Sequence, residues 1–223
     1  MGDSATAHIV WDWNGTLRDD NWVLVRSAQD AFAATGLPPF AMASYRKHHQ
    51  RADFFARLAG RPLTRAEERE LTRQFSAAYQ LHNRRAGPRR SAKRVLEQWR
   101  AAGHTQSVLS LSPHGTLVTE VVAARFQEMF VLVHGRHADG APTKAVHLRR
   151  HLALLAASAG RIVLVGDTPD DVRAARACGV PVLLFYDAEH QVYSHSRMLA
   201  LRAPIVQRLD DVSARVLDLL SDR

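Results

Sequence analysis

The chain reads as an α/β protein: a doubly wound, Rossmann-like parallel sheet with an all-helical cap inserted after the first strand. Three observations predict this. From residue 105 onward, short apolar runs alternate with stretches of helical length, the pattern of parallel strands joined by crossover helices. Residues 20–86, in contrast, carry helical periodicity and no strand signal. The apolar run before them ends on a carboxylate, Asp12, and open α/β sheets place their chemistry at such strand ends.

The first strand covers residues 8–12 and leads into a turn marked by Asn14-Gly15. Residues 21–35 form a helix with Val23, Val25, Ala28, Ala31 and Phe32 on one face and Gly36 as its stop. Pro38-Pro39 breaks the chain. Residues 41–58 read as a second helical stretch, rich in aromatic and basic side chains, that ends at Gly60-Arg61-Pro62. Thr64 and Glu67 have the spacing of a capping box, each satisfying a backbone amide of the other, and open a long helix to about residue 83.

Gly87-Pro88 marks the exit from the helical block. A helix over 91–102 stops at Gly103, and a strand follows over 105–111. Residues 113–126 form a helix with proline in its first turn. Next come a short strand over 130–134 and a helix over 144–157. The continuous apolar run at 161–165 is typical of a strand covered on both faces. A helix over 169–178, a strand over 181–186, a polar loop over 187–203 and a helix over 210–220 complete the chain. The expected domains are a core of residues 1–19 and 87–223 and a cap of residues 20–86 lying over the Asp12 end of the sheet.

Composition narrows the function classes. With 223 residues, 46% of them hydrophobic, the chain can build one large domain or a core with an inserted module. Its formal charge of +8 favours anionic partners. The densest basic cluster, Arg84, Arg85, Arg89, Arg90, Lys93 and Arg94, has no interleaved aromatics to stack bases, so it reads as a solvated basic face and argues against nucleic acid. The single cysteine, Cys178, excludes an internal disulfide and a cysteine-based metal site and fits a reducing, cytoplasmic setting. No signal peptide and no membrane span are expected, since no stretch approaches the ~18 apolar residues a span needs.

Four features converge on the C-terminal sheet edge: Asp12 with Asn14, Ser110, Lys144, and the run Gly166-Asp167-Thr168-Pro169-Asp170-Asp171. Together they suggest phosphoryl transfer. A carboxylate can attack phosphorus if the charge between the two anions is neutralised, and Mg²⁺ held by carboxylates, a lysine and hydroxyl donors all do this. Asp12 and Asp167 suit Mg²⁺; Ser110 and Lys144 suit phosphate. Ser112, two positions on along the same face, is an alternative to Ser110. A lysine at a helix start sits against the positive end of the helix dipole, which points to a function for Lys144. Asp170 reads as a solvated acid at a helix start, and the histidines read as mostly superficial, with His48, His49 and His114 as possible substrate contacts.

These motifs resemble those of the haloacid dehalogenase superfamily, in its capped, phosphoglycolate-phosphatase-like subgroup. The first motif, Asp-x-Asp-Gly-Thr, is matched by Asp12-Trp13-Asn14-Gly15-Thr16; the second by Ser110; the third by Lys144; the fourth by Gly166-Asp167 and Asp171. The resemblance implies that Asp12 is nucleophile and metal ligand, and that the backbone carbonyl of Asn14 and the carboxylate of Asp167 are further Mg²⁺ ligands. Asp171 lies close by, orienting a water ligand or the lysine. Ser110, Lys144 and Thr16 hold the phosphate. The activity implied is Mg²⁺-dependent hydrolysis of a small phosphorylated metabolite through an aspartyl-phosphate.

One departure matters. Asn14 stands where the family's phosphatases have the aspartate that protonates the leaving group, and an amide has no titratable proton near neutral pH. Turnover is therefore expected to be slow or limited to good leaving groups. The alternative is a catalytically impaired member that binds a phosphorylated ligand or a protein partner; another reaction on the same fold, such as dehalogenation or phosphotransfer, is a third reading. Substrate choice is expected in the cap, where Tyr45, Arg46, Lys47, His48, His49, Arg51 and Phe55 form a basic and aromatic surface.

Overall fold

The computed structural model describes residues 6–49, 51–137, 143–155 and 161–221. The chain divides into two compact units. One comprises Met1–Arg18, Pro88–Asp187 and Met198–Arg223; the other comprises Asp19–Gly87 and Ala188–Arg197.

The first unit is a six-stranded, all-parallel sheet. Its strands are β1 (His8–Asp12), β2 (Thr105–Pro113), β3 (Val133–Arg136), β4 (Ile162–Gly166), β5 (Val182–Phe185) and β6 (Ile205–Val206), in the order β3-β2-β1-β4-β5-β6. The chain first winds outward through β2 and β3, then crosses back to β4 and winds the other way. The direction thus reverses between β1 and β4, and the crevice beyond their C-terminal ends is where sheets of this topology bind ligands. β6 and the turn into it were not anticipated from the sequence, because two residues carry no readable periodicity.

Alternation along β1 sorts the layers. Ile9 and Trp11 join Trp13, Trp99, Val108, Val163 and Val212 in a fully buried apolar core on one face. Helix α5 (Ala92–Ala101) and the C-terminal helix α10 (Val212–Ser221) contribute to this face. His8, Val10 and Asp12 point to the other face, which receives α7 (Lys144–Leu155). Helices α6 (His114–Ala123) and α8 (Pro169–Ala177) complete the unit. The last two residues of the helix read over 144–157 lie outside the described residues.

The second unit holds α1 (Asn21–Ala34), α2 (Met42–His48), α3 (Phe54–Ala59) and α4 (Arg65–Asn83). The capping box at α4 forms: Thr64 N donates to Glu67 Oε2 at 2.7 Å and Glu67 N to Thr64 Oγ1 at 3.2 Å. The single helix read over 41–58 is instead two, α2 and α3. On one continuous helix Tyr45 and Phe54 would lie about 180° apart; the break brings their rings to 5.3 Å, and packing overrides local propensity. Residues 188–197, read as a polar loop of the core domain, belong to the helical unit, where Gln191, Val192 and Tyr193 are buried. The loop also contains a short helix, α9 (His195–Leu199).

Within this unit the aromatic residues form a connected cluster in which Phe32 and Tyr45 are buried and Phe40, Phe54, Phe55 and Phe75 half-buried. Phe32 meets Phe40 at 5.0 Å, Phe54 meets Phe55 at 5.1 Å, and Phe55 meets Phe75 at 5.8 Å. Tyr45 is 3% exposed, and His49 packs edge-on to Tyr193 at 4.7 Å. Arg46 donates to the carbonyls of Gln191 and Ala188, and Arg51 pairs with Asp53. Of the expected basic and aromatic surface, Tyr45 is buried, Arg46, His48, His49 and Phe55 are half-buried, and Lys47 and Arg51 are exposed. Among the described residues no helix is long and apolar enough to cross a membrane.

Candidate active site

Asp12 is the last residue of β1, and Asp167 directly follows β4, so the two carboxylates flank the reversal crevice. Lys144 opens α7, and Asp171 sits in the first turn of α8. All four are buried, none more than 5% exposed. Lys144 Nζ bridges two of the acids: it donates to Asp12 Oδ1 and lies 2.5 Å from Asp171 Oδ1. Asp12, Asp167 and Asp171 each offer an oxygen within 4.8 Å of the others. Thr16 is fully buried beneath them, its hydroxyl 3.5 Å from Asp12 Oδ2 and 3.4 Å from Asp167 Oδ1.

Local chemistry explains these placements. The turn after β1 is closed by the amides of Thr16 and Arg18, both donating to the carbonyl of Trp13 at 3.3 and 2.9 Å. Gly15 in that turn has φ of 76°, the left-handed region that a residue without Cβ enters freely. Asp171 is fixed by a second capping box: its Oδ2 accepts from Thr168 N at 2.9 Å and from Thr168 Oγ1 at 2.6 Å, and its own amide donates back to that hydroxyl. Pro169 occupies the first turn, where its missing N–H costs nothing.

Ser110 and Ser112, the two candidate phosphate binders, both reach Asn14. Ser110 Oγ donates to Asn14 Oδ1 at 3.2 Å and Ser112 Oγ at 2.8 Å. Ser112 N donates in turn to Ser110 Oγ at 3.1 Å. The pairing of β2 with β3 shifts register between Leu109 and Pro113, an irregularity at the sheet end that accompanies this double contact.

Three buried carboxylates face one buried ammonium. Burial, with Asp171 and Asp167 adding to it, pushes the Asp12 carboxyl well above its usual range, against the pull of Lys144. Burial alone would lower the Lys144 pKa, but Asp12 and Asp171 outweigh it and raise the value, so the ammonium stays charged. The surplus negative charge is what a hard divalent cation on oxygen ligands would offset.

A model of haloacid dehalogenase-like hydrolases matches residues 9–176. The chain belongs to this family. Solved structures share its fold at low identity. A haloacid dehalogenase family hydrolase from Deinococcus radiodurans, determined with bound phosphate and sodium, aligns with a TM-score of 0.76, 18% identity and 97% coverage of each chain. A predicted phosphoglycolate phosphatase from Haemophilus somnus aligns at 0.70, with 19% identity over 96% of this chain and 99% of its own. A predicted phosphatase from Clostridium acetobutylicum aligns at 0.66, with 16% identity over 96% and 100%. No curated protein matches the chain.

This haloacid dehalogenase-like hydrolase also uses residues that the sequence reading passed over. Glu120 on α6 accepts from the Trp13 indole at 2.8 Å and pairs with Arg18 at 3.3 Å, bracing the turn after β1 from one side. Arg89, read as part of a solvated basic face, is a correction: its side chain is only 10% exposed and donates to the carbonyls of Gly15 and Thr16 at 2.9 and 3.0 Å. No local pattern distinguishes Arg89 from Arg90, since burial depends on which strand end lies opposite.

The histidines are a second correction. His8, His134, His147 and His151 are buried, at most 7% exposed. His8 bonds Thr105 Oγ1 at 2.7 Å and Ser107 Oγ at 2.8 Å, Ser107 Oγ bonds His151 Nε2 at 2.7 Å, and His151 Nδ1 lies 3.3 Å from His134 Nδ1. His147 Nε2 meets the His134 carbonyl at 3.3 Å. The face that α7 turns to the sheet is therefore Lys144, His147, Leu148 and His151, a mostly polar stripe at helical spacing. The Gly135 amide donates to His114 Nδ1 at 3.2 Å, and the His114 ring stacks on His137 at 4.5 Å.

Proposed function

We propose that the protein is a Mg²⁺-dependent phosphatase that hydrolyses a small phosphorylated metabolite through an aspartyl-phosphate on Asp12. The observation that carries this reading is the meeting of three buried carboxylates and one buried lysine at the sheet's reversal point. The oxygen donors fit Mg²⁺ in type and in surplus charge, with Asp12, Asp167 and the Asn14 carbonyl as its ligands. Asp171 offers an oxygen within 4.8 Å of the other two acids and lies 2.5 Å from Lys144 Nζ, a position from which it orients the lysine or a water ligand. Bound there, Mg²⁺ would draw charge from the phosphate oxygens.

The chain's own groups carry the rest. An Asp12 oxygen attacks phosphorus, the bond to the leaving oxygen breaks, and water then releases phosphate and regenerates the carboxylate. Lys144 neutralises Asp12 so that a dianion can approach it, and with Ser110, Ser112 and Thr16 it binds the phosphate oxygens. Asn14, held by two serine hydroxyls, can donate a hydrogen bond but no proton, so the best substrates are those whose leaving group departs unprotonated: acyl, sugar-1- or aryl phosphates. A cytoplasmic setting suits the single thiol.

A panel of phosphate esters, assayed with and without Mg²⁺ and with Asp12→Asn as the blank, tests the reading. Mg²⁺-dependent release of phosphate that vanishes in the blank is expected; activity persisting in Asp12→Asn would sink the nucleophile assignment. Asn14 favours a second reading, a binding protein with impaired turnover, whose mark is retained Mg²⁺ and phosphate affinity without hydrolysis.

A further inference from the structure

We infer that Arg89 is a positioning residue that sets the affinity of the carboxylate site for its divalent cation; this rests on the metal-site reading above. Arg89 lies just beyond Gly87-Pro88 and is locked to the nucleophile turn by backbone and side chain together. Its amide donates to the Leu17 carbonyl at 2.8 Å, and Arg18 bridges the neighbouring Pro88. Its guanidinium then contacts three groups. Nη2 donates to the Gly15 carbonyl at 2.9 Å, Nε to the Thr16 carbonyl at 3.0 Å, and Nη1 to Asp187 Oδ2 at 2.8 Å. The group also stacks over the Phe185 ring, with Cζ 4.7 Å from its centroid.

Each contact constrains the next. Phe185 ends β5 and Asp187 follows two residues later, so they fix the guanidinium relative to the sheet. The guanidinium fixes the peptide units at Gly15 and Thr16. Thr16 then presents its buried hydroxyl to Asp12 Oδ2 and Asp167 Oδ1, the two carboxylates on either side of the crevice. Arg89 therefore reaches neither substrate nor metal, but it anchors the turn that aligns both acidic ligands. Its charge is paired with Asp187, so Arg89 acts on the site through the turn it holds rather than through its field.

The residue type matters. A planar fork can meet two adjacent carbonyls and a carboxylate at once, whereas a lysine ammonium brings the charge without the fork. Loss of outer-shell partners typically costs about 10- to 100-fold in metal affinity. Mg²⁺ binding is measured by calorimetry on the full chain for wild type, Arg89→Met, Arg89→Lys and Asp167→Asn. Thermal melts in EDTA establish that each variant is folded at the titration temperature.

The expected result is Mg²⁺ affinity reduced about 10- to 100-fold in Arg89→Met and only partly recovered in Arg89→Lys. A purely structural role would lower the melting temperature and leave the affinity of the folded protein unchanged. Wild-type affinity in both Arg89 variants, with Asp167→Asn impaired, overturns the positioning role alone. Wild-type affinity in Asp167→Asn overturns the metal-site reading itself and the inference with it.

Discussion

Gly166 and Asp171 approach so closely that a Cβ on Gly166 would stand 2.6 Å from both carboxylate oxygens of Asp171. The same carboxylate caps α8 through Thr168 and holds Lys144. Gly166 is thus required for close approach, and the end of β4 and the start of α8 are built around that contact. Gly166→Ala forces Asp171 aside. Overpacking of this kind costs about 1–3 kcal/mol, to be read from denaturant unfolding. Phosphatase activity should fall as well, because Lys144 loses one of its two acidic partners. Unchanged stability and activity would show that Asp171 is not held in this position.

Asn14→Asp is nearly isosteric and keeps both serine contacts, since a carboxylate accepts from the hydroxyls of Ser110 and Ser112 as the amide oxygen does. It restores a group able to donate and recover a proton. Turnover on alkyl phosphates should rise by at least about tenfold, and by less on aryl phosphates, whose leaving groups need no proton. Steady-state assays on a matched ester pair measure the difference. Equal rates in both proteins would mean that another group already serves as the acid.

The histidine layer under α7 predicts acid sensitivity. Burial lowers His8 to about 4 and His134 to about 4, and His151 to about 3, from an ordinary value of 6.5; the neighbouring histidines, with Arg150 beside His134, push the same way because a second proton in the cluster would meet like charge. Between the folded and unfolded values the unfolded chain binds more protons. Stability is therefore full above about pH 6.5 and declines as pH falls toward 4. Each buried histidine adds up to about 1.4 kcal/mol per pH unit to that slope. Unfolding curves from pH 7 to 5 should show the decline, and His151→Gln should flatten it. A profile with no slope in wild type would contradict the buried, neutral assignment.

The helical unit shows where sequence patterning gives way. Its capping box at Thr64 and Glu67 was legible because both partners lie within one turn. The break between α2 and α3 was not, because it serves ring contacts between Tyr45 and Phe54 that appear only once the helices fold on each other. Residues 188–197 show the same limit at larger scale. Their polar composition reads as loop, and only the burial of Gln191 and Tyr193 assigns them to the helical unit.

The sequence by itself determined the sheet class, the places of Asp12, Ser110 and Asp167 at or beside strand ends, and that of Lys144 at a helix start. Apolar runs mark strands, and a polar residue at the end of such a run must emerge at a sheet edge. Tertiary structure alone decided that Ser110 and Ser112 share Asn14, and that Arg89 and Glu120 brace the turn. It also decided that α7 rests on histidines rather than on an apolar stripe. Each of these joins residues distant in the chain, as Lys144 and Asp12 are joined across 132 positions. Such contacts depend on strand order and register, which arise only when the whole sheet is assembled.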